Sequence, residues 1–232
     1  IINLTSITEP EAIEYSIQEL IKDKKNYNAL VSAGGETILV YELDKNGRIY
    51  NVFTGNKCAS GTGTFFLQQL TRMALNINEL KDYYKEEDAY DISGRCSVFC
   101  KSDCTHALNK GVEKDKVVAG LCKMMALKIT ELLATFNNRN IILTGGISKI
   151  SPIVNYVKSS VDSLLIPEES GYFEAYGAAL WAFENETIDF PGFENLFCEI
   201  EDEYGKVSRD DLDPKFIHLF LVNSKKGGDK DE

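Results

Sequence analysis

Histidine and positive charge are both scarce in this sequence of 232 residues, and it contains no long apolar run. A bilayer-spanning helix needs about 20 consecutive apolar residues, so we expect no membrane span. A histidine-dependent hydrolase would have only His106 and His218, and Asp103 and Glu174 are expected to be solvated or helix-capping rather than catalytic. The 25 Lys and Arg are outnumbered by 36 Asp and Glu, leaving a net charge of −11. Such a surface repels a phosphate backbone, which argues against a nucleic-acid partner.

The start of the sequence has no basic segment followed by an apolar core, so no export signal is recognisable and we expect a cytoplasmic protein. The six cysteines are therefore expected to be reduced thiols or metal ligands rather than disulfides. They are Cys58, Cys96, Cys100, Cys104, Cys122 and Cys198. Because there is no initiator Met and residues 1–8 read as the end of a strand and a loop, we expect an excised piece of a longer protein.

Apolar periodicity predicts an α/β domain. Residues 8–11, Thr-Glu-Pro-Glu, are typical of a helix start, and this helix should run to about Lys24. Alternation around Asn46-Gly47 predicts a hairpin that follows a strand over residues 27–33. The hairpin strands should cover 37–43 and 48–53, the other strands 141–144 and 164–166, and the other helices 62–74, 77–84, 97–109, 114–136, 152–161 and 176–182. Strands that alternate with long helices favour a sheet covered by helices.

The composition changes beyond Asn185, where the chain becomes acidic and aromatic. We therefore expect one domain over residues 1–188 and an acidic C-terminal extension over residues 189–232. The last residues, 224–232, are polar and charged, and we expect them to be disordered.

Two glycine pairs each follow a short apolar strand. Gly34-Gly35 come directly after the strand that ends at Ala33, and Gly145-Gly146 follow a later strand. A glycine pair at a strand end lets the backbone approach a ligand closely, as phosphate groups require. One such pair is most often only a turn. Two pairs in the same context favour a nucleotide site.

Two cysteines stand at the start of predicted helices. Cys58 precedes the turn Ala59-Ser60-Gly61-Thr62-Gly63, which opens into a helix, and Cys96 stands at the start of another helix. The first free backbone N–H groups and the positive end of the helix dipole favour a thiolate in such a place. A thiolate there can be a nucleophile, a redox centre or a metal ligand.

A cubane iron–sulfur cluster takes four thiolates, which one chain cannot easily supply. Cys96, Cys100 and Cys104 share a helix face but climb about 6 Å per step, so the outer two are too far apart to bind one cluster. Two chains that each give Cys58 and Cys96 can supply four ligands on a twofold axis. A zinc site of Cys58, Cys96, Cys100 and His106 is an alternative, and a set of merely buried cysteines is another.

These motifs make the sequence resemble the activator ATPases of 2-hydroxyacyl-CoA dehydratases and benzoyl-CoA reductases, the BadF/BadG/BcrA/BcrD family. Asn56-Lys57-Cys58-Ala59-Ser60-Gly61-Thr62-Gly63 is similar to its N-D-K-C-A-A-G-T-G, and Cys96-Ser97-Val98-Phe99 to its C-[ST]-V-F. Gly34-Gly35-Glu36 lies at the place of the phosphate-binding D-x-G-G-Q, and Thr144-Gly145-Gly146 matches the adenosine-side T-G-G. Gly177-Ala178-Ala179-Leu180 is similar to the closing G-A-A-L. The resemblance covers roughly residues 28–185 in the family's order.

The resemblance implies a ribonuclease H-like, actin-like ATPase fold (ASKHA) in a homodimer that shares one [4Fe-4S] cluster. It implies that Cys58 and Cys96 of each chain bind the cluster, and that ATP and Mg²⁺ are the other cofactors. ATP binding and hydrolysis would change the angle between the two cluster-capping helices and pass a low-potential electron to a partner reductase or dehydratase. The implied nucleotide contacts are Gly34, Gly35, Glu36, Gly61, Gly63, Gly145 and Gly146.

The sequence also departs from the family pattern. The first phosphate loop, G-x-D-x-G-S-T, is absent, so the chain resembles the later half to two-thirds of the fold. Ser32 stands at the Asp of D-x-G-G-Q and Glu36 at its Gln, and these positions bear on magnesium positioning and hydrolysis. The alternative function is therefore a non-hydrolysing nucleotide-binding or scaffold domain with structural or zinc-binding cysteines. Cys100 and Cys104 are extra and resemble a subgroup found in very large multidomain activators.

Overall fold

A computed structural model describes residues 4–55, 62–82 and 89–192, together with two short strands at 201–202 and 205–206. The predictions made for Cys58, Gly61 and residues 224–232 fall outside these ranges. Within the described ranges, no helix is both long enough and apolar enough to cross a bilayer.

Five strands form one mixed sheet in the order β3-β2-β1-β4-β5. Their bounds are β1 Ala29–Ala33, β2 Ile38–Leu43, β3 Ile49–Thr54, β4 Asn140–Thr144 and β5 Ser163–Leu165. The first three strands are antiparallel neighbours, whereas β4 runs parallel to β1 and β5 runs parallel to β4. A further antiparallel pair, β6 Glu201–Asp202 and β7 Gly205–Lys206, stands apart from this sheet.

The β2–β3 hairpin turns where the sequence predicted it. Gly47 has a φ of +75°, which favours glycine because it has no Cβ. The Asp44 carboxylate accepts hydrogen bonds from the backbone N–H groups of Asn46 and Arg48, both at 2.8 Å. These bonds hold the turn and lower the pKa of the Asp44 carboxyl, the bond from Arg48 contributing most.

Helices cover both faces of the sheet. They are α1 Glu9–Leu20, α2 Gly63–Arg72, α3 Ser97–Asn109, α4 Lys114–Leu132, α5 Ser151–Lys158 and α6 Phe173–Glu184, with 3₁₀ turns at Lys24–Asn26, Ile77–Asp82, Gly146–Lys149 and Glu168–Gly171. Helices α1 and α6 share a core with Leu30 and Ile142, whereas α2 to α5 pack on the other face against Val31 and Leu143. The strands β1 and β4 are nearly continuous apolar runs because both of their faces are buried. The predicted α/β architecture is confirmed.

The helix ends differ from the predicted ones. Helix α1 begins after Thr8 with the predicted capping box, but it ends at Leu20 instead of Lys24. Ile21 is extended and buried, and the lysines at 24 and 25 offer no apolar side chain to continue the buried stripe. Of the segment predicted as a helix over 77–84, the described residues Ile77–Asp82 form a 3₁₀ turn.

Candidate nucleotide and cluster site

The two glycine pairs meet at one edge of the sheet. Strands β1 and β4 are parallel neighbours, with Ser32 opposite Thr144, so the residues after both strands leave from the same edge. From this edge the chain goes to opposite sides, because β1 continues into β2 and β4 continues towards β5. In open α/β sheets, ligands bind in the crevice at such a reversal of strand order.

Gly145 and Gly146 have different surroundings although they are adjacent. Gly145 has a φ of +85°, and a Cβ there would lie 2.3 Å from the carbonyl oxygen of Ala33. Its N–H donates to the Ser170 carbonyl oxygen at 2.6 Å. Gly146 is exposed, and a Cβ there would meet no heavy atom within 4 Å. Gly145 is therefore needed to bring β4 close to β1, whereas Gly146 borders open space.

The first glycine pair carries the start of helix α2. The N–H of Gly63 donates to the Gly34 carbonyl oxygen at 3.1 Å, and the N–H of Thr64 donates to the Gly35 carbonyl oxygen at 2.8 Å. A Cβ on Gly63 would lie 3.0 Å from the Gly34 oxygen, so the close approach favours glycine. Gly34, Gly35 and Gly63 are thus brought together, with the exposed Glu36 beside them.

The first N–H groups of α2 are bound within the part of the chain that the structure describes, whereas the Cys58 thiol, beside which they were expected, lies outside it. Two of those groups are bound by the glycine-pair carbonyls, and the N–H of Phe65 is capped by the Thr62 hydroxyl at 3.3 Å. Sequence reasoning missed this because Gly34 and Gly63 are far apart along the chain. With these N–H groups bound, the positive end of the α2 dipole is the feature that favours an anion at this helix start.

Cys96 stands at the N-cap of α3, as predicted, with its backbone extended and its side chain half-buried. The segment before it is anchored on both sides. The N–H of Ser93 donates to the Asp103 carboxylate at 2.9 Å, and the N–H of Tyr90 donates to the Lys116 carbonyl oxygen at 2.9 Å. Asp103 therefore accepts a backbone hydrogen bond and fixes the approach to Cys96.

The other described cysteines, Cys100, Cys104 and Cys122, are buried and form no disulfide. Cys100 and Cys104 lie one turn apart on α3, and the hydrogen bond from Cys100 lowers the pKa of Cys104 against the opposing effect of burial. Burial alone raises the pKa of Cys122 to about 12. Among the residues that the structure describes, no three His, Cys, Asp or Glu side chains are grouped to hold a metal ion. Cys96, Cys100 and His106 are therefore not gathered as the zinc alternative requires.

A carboxylate contact at the end of β1 was not predicted. The Ser32 hydroxyl donates to the Glu174 carboxylate at 2.9 Å, and the two residues are 142 positions apart. On the same side of the sheet, the Tyr41 hydroxyl donates to the Glu9 carboxylate at 2.9 Å. Burial and then the nearby Glu174 charge raise the pKa of Glu9, while the bond from Tyr41 opposes them. Glu174 was expected to be solvated or helix-capping. In the structure its carboxylate instead accepts a hydrogen bond from the Ser32 side chain.

This arrangement, a mixed sheet covered on both faces with glycine pairs at adjacent strand ends, is that of an actin-like ATPase fold. The chain belongs to the BadF/BadG/BcrA/BcrD ATPase family, whose model matches residues 17–182. The family and fold predicted from the motifs are thereby confirmed.

Several characterised proteins are similar to this chain. A 2-hydroxyisocaproyl-CoA dehydratase activator of Clostridioides difficile is 28% identical over 67% of this chain and 59% of its own. The (R)-2-hydroxyglutaryl-CoA dehydratase activating ATPase of Acidaminococcus fermentans is 27% identical over 68% of this chain and 62% of its own. A solved structure of the 2-hydroxyisocaproyl-CoA dehydratase activator from Clostridium difficile, with bound ADPNP, superposes with a TM-score of 0.68. It is 26% identical and is matched over 77% of this chain and 66% of its own. The chain spans about three fifths of the length of the curated relatives that it matches.

Proposed function

We propose that this chain is the nucleotide- and cluster-binding part of an ATP-dependent activator that passes a low-potential electron to a partner dehydratase or reductase. The observation that carries the proposal is the meeting of both glycine pairs and the start of α2 at one sheet edge, in a member of this ATPase family. The activator names of the relatives support a partner of the dehydratase class.

The nucleotide is proposed to bind, with Mg²⁺, at the sheet edge where Gly34-Gly35 and Gly145-Gly146 meet, which we call the glycine edge. The phosphates would lie against Gly34, Gly35 and Glu36, with Gly63 at the start of α2 as a further contact. The adenosine would lie against Gly145 and Gly146. Two features support this assignment: the backbone is exposed at Gly35 and Gly146, and the ADPNP-bound activator structure superposes on the chain. Gly61, which belongs to the same proposed set, lies outside the described residues.

Cys58 and Cys96 of two chains are proposed to bind one [4Fe-4S] cluster in a homodimer. When bound, such a cluster supplies the one-electron, low-potential chemistry. Cys96 fits this role because it is half-buried at a helix N-terminus, where the dipole favours a thiolate. The neighbouring Val98 and Phe99 are 71% and 59% exposed, as expected for residues that a second subunit covers.

The start of α2 is proposed to link the two sites. The carbonyl groups of Gly34 and Gly35 hold the first turn of α2, and Cys58 lies five residues before Gly63 in the sequence. A nucleotide that shifts the glycine turn therefore also shifts the start of α2. This is how the chain's own backbone would couple phosphate binding to the position of the Cys58 ligand.

A non-hydrolysing nucleotide-binding or scaffold domain is the second candidate function. The observation that favours it is Ser32, whose hydroxyl stands where the family motif has a carboxylate. Without a carboxylate to position magnesium, ATP would bind and not turn over.

ATP turnover by the intact natural polypeptide, measured under argon with its partner dehydratase, separates the two candidates. The activator function predicts hydrolysis and ATP-dependent reduction of the partner. Cys96→Ser should keep ATP binding and lose reduction, because it removes a cluster ligand and leaves the glycine edge intact. Binding without either turnover or reduction would contradict the activator function and favour the scaffold.

A further inference from the structure

An acidic side chain lies beside the C-terminal end of β1, although β1 itself has no acidic residue near this end. Ser32 is the last side chain of β1 that faces α6 before the glycine pair, and it is only 9% exposed. Its hydroxyl donates to the Oε1 atom of Glu174, in the first turn of α6, at 2.9 Å. A carboxylate from α6 therefore lies one hydrogen bond from the place where the motif D-x-G-G-Q has its Asp.

The packing of α6 holds Glu174 in this place. The preceding residue, Phe173, is fully buried, and its carbonyl oxygen accepts a hydrogen bond from the Ser16 hydroxyl of α1 at 2.5 Å. The turn just before α6 is bound to the second glycine pair, since Ser170 accepts from the N–H of Gly145 at 2.6 Å. The start of α6 is thus anchored to α1 on one side and to the glycine edge on the other.

We propose that Glu174 supplies the carboxylate of the nucleotide site that β1 lacks, and that Ser32 orients it. Glu174 would hold the Mg²⁺ of MgATP, directly or through a bound water, since Mg²⁺ prefers carboxylate oxygens and retains several waters. Glu174 would then act on magnesium and Ser32 would be a positioning residue. This inference rests on the proposed nucleotide function, and it removes the reason for regarding Ser32 as a sign of lost hydrolysis.

The dependence of ATP affinity on Mg²⁺ tests this assignment. ATP binding to the intact natural polypeptide is measured by calorimetry with Mg²⁺ and again with excess EDTA, and the ratio of the two affinities is the Mg²⁺ effect. Glu174→Gln is expected to reduce this effect by about tenfold or more, because it removes the charged oxygen. Ser32→Ala should reduce it in the same direction, because Glu174 loses its hydrogen-bond donor. Glu184→Gln, on the exposed far end of α6, is the matched control and should leave the effect unchanged.

Transfer of the carboxylate back to β1 provides a second test. The double variant Ser32→Asp with Glu174→Gln should recover most of the Mg²⁺ effect that Glu174→Gln loses, whereas a purely structural role for Glu174 predicts no recovery. Thermal melting of each variant checks the fold, and Ser32→Ala carries the test if Glu174→Gln does not fold.

Three results would overturn the inference. The first is an unchanged Mg²⁺ effect in Glu174→Gln or, if that variant does not fold, in Ser32→Ala. The second is an equal loss of affinity with and without Mg²⁺, which would mark a structural role. The third is a wild-type protein that binds no ATP in either condition, which would overturn the proposed function as well. In the first two results the wild-type protein still binds ATP, so failure of this inference is distinguishable from failure of the proposed function.

Discussion

At the residue scale, the adjacent glycines at the end of β4 are predicted to have different roles, Gly145 in folding and Gly146 in nucleotide binding. Gly145→Ala should destabilise the fold by about 2 kcal/mol or more, because the new Cβ meets the Ala33 carbonyl oxygen in a left-handed backbone conformation. Gly146→Ala should change stability by less than about 0.5 kcal/mol. It should nevertheless weaken ATP affinity by about tenfold, since its methyl group enters the space proposed for the nucleotide.

Urea unfolding and calorimetric ATP titration of both variants measure these effects. A Gly146→Ala protein that binds ATP as tightly as the wild type would contradict the assignment of Gly146 as a nucleotide contact. A Gly145→Ala protein of wild-type stability would contradict the close approach of β4 to β1.

Glu9 gives a pH dependence whose sign follows from its surroundings. Burial raises the pKa of Glu9 above the ordinary glutamate value of 4.5, so between pH 4.5 and the folded-state pKa the folded protein holds more protons than the unfolded chain. The contribution of Glu9 to stability therefore falls as pH rises through this window. Glu9→Gln keeps an oxygen acceptor for Tyr41 but cannot ionise. The free energy of unfolding of this variant should therefore increase, relative to that of the wild type, as pH rises.

Denaturant unfolding of both proteins at a series of pH values from 4 to 8 measures this difference. Glu19→Gln, an exposed position on the same helix, controls for the loss of one negative charge. A difference that stays constant with pH, or that shrinks as pH rises, would show that Glu9 is not held in this environment.

The sequence was sufficient to predict that the two glycine pairs directly follow strands. Gly34 and Gly145 were recognisable because each comes after a short apolar run, and a glycine there has a local meaning. The hydrogen bond between Ser32 and Glu174 was not predictable, because it depends on where α6 packs and the two residues are 142 positions apart. The hydrogen bonds from the first N–H groups of α2 to the Gly34 and Gly35 carbonyl oxygens were not predicted for the same reason.

At the element scale, the contact between α1 and α6 depends on Gly177. A Cβ on Gly177 would lie 1.7 Å from the Ala12 carbonyl oxygen, so Gly177→Ala must push the two helices apart. Alanine at an ordinary helix position would instead stabilise by about 1 kcal/mol relative to glycine. We expect Gly177→Ala to lower the free energy of unfolding by about 2 to 3 kcal/mol.

The reverse exchange on the exposed side of α6, Ala179→Gly, is the control. It should lose only the helix propensity of about 1 kcal/mol. If Gly177→Ala unfolds at the same denaturant concentration as the wild type, or at a higher one, the tight crossing of α1 and α6 is absent.

Elements with a strong local signal were predicted well, and their ends were not. The capping box at Thr8 and the turn at Gly47 are local, and both were found where expected. The end of α4 at Leu132, four residues short of the predicted one, depends on packing that no local pattern records. Helix ends are where tertiary contacts most easily override propensity.

At the scale of the whole molecule, the motifs identified the family because they combine unusual residues in a fixed order. Strand pairing then brings the two glycine pairs together, although more than a hundred residues separate them. The division into a domain over residues 1–188 and an extension over 189–232 stays a prediction. So do the homodimer, the shared cluster and the cytoplasmic location, because they concern what lies around the chain.

The central claim is that Cys58 and Cys96 of two chains bind one iron–sulfur cluster, and a visible absorption spectrum with iron analysis under argon tests it most directly. The account predicts a brown protein that absorbs near about 400 nm and holds about four irons per two chains. Cys58→Ala and Cys96→Ala should each abolish the colour, whereas Cys122→Ala should keep it because that thiol is buried in the core. A colourless wild-type protein that contains stoichiometric zinc, or a colour that survives both ligand substitutions, would contradict the account.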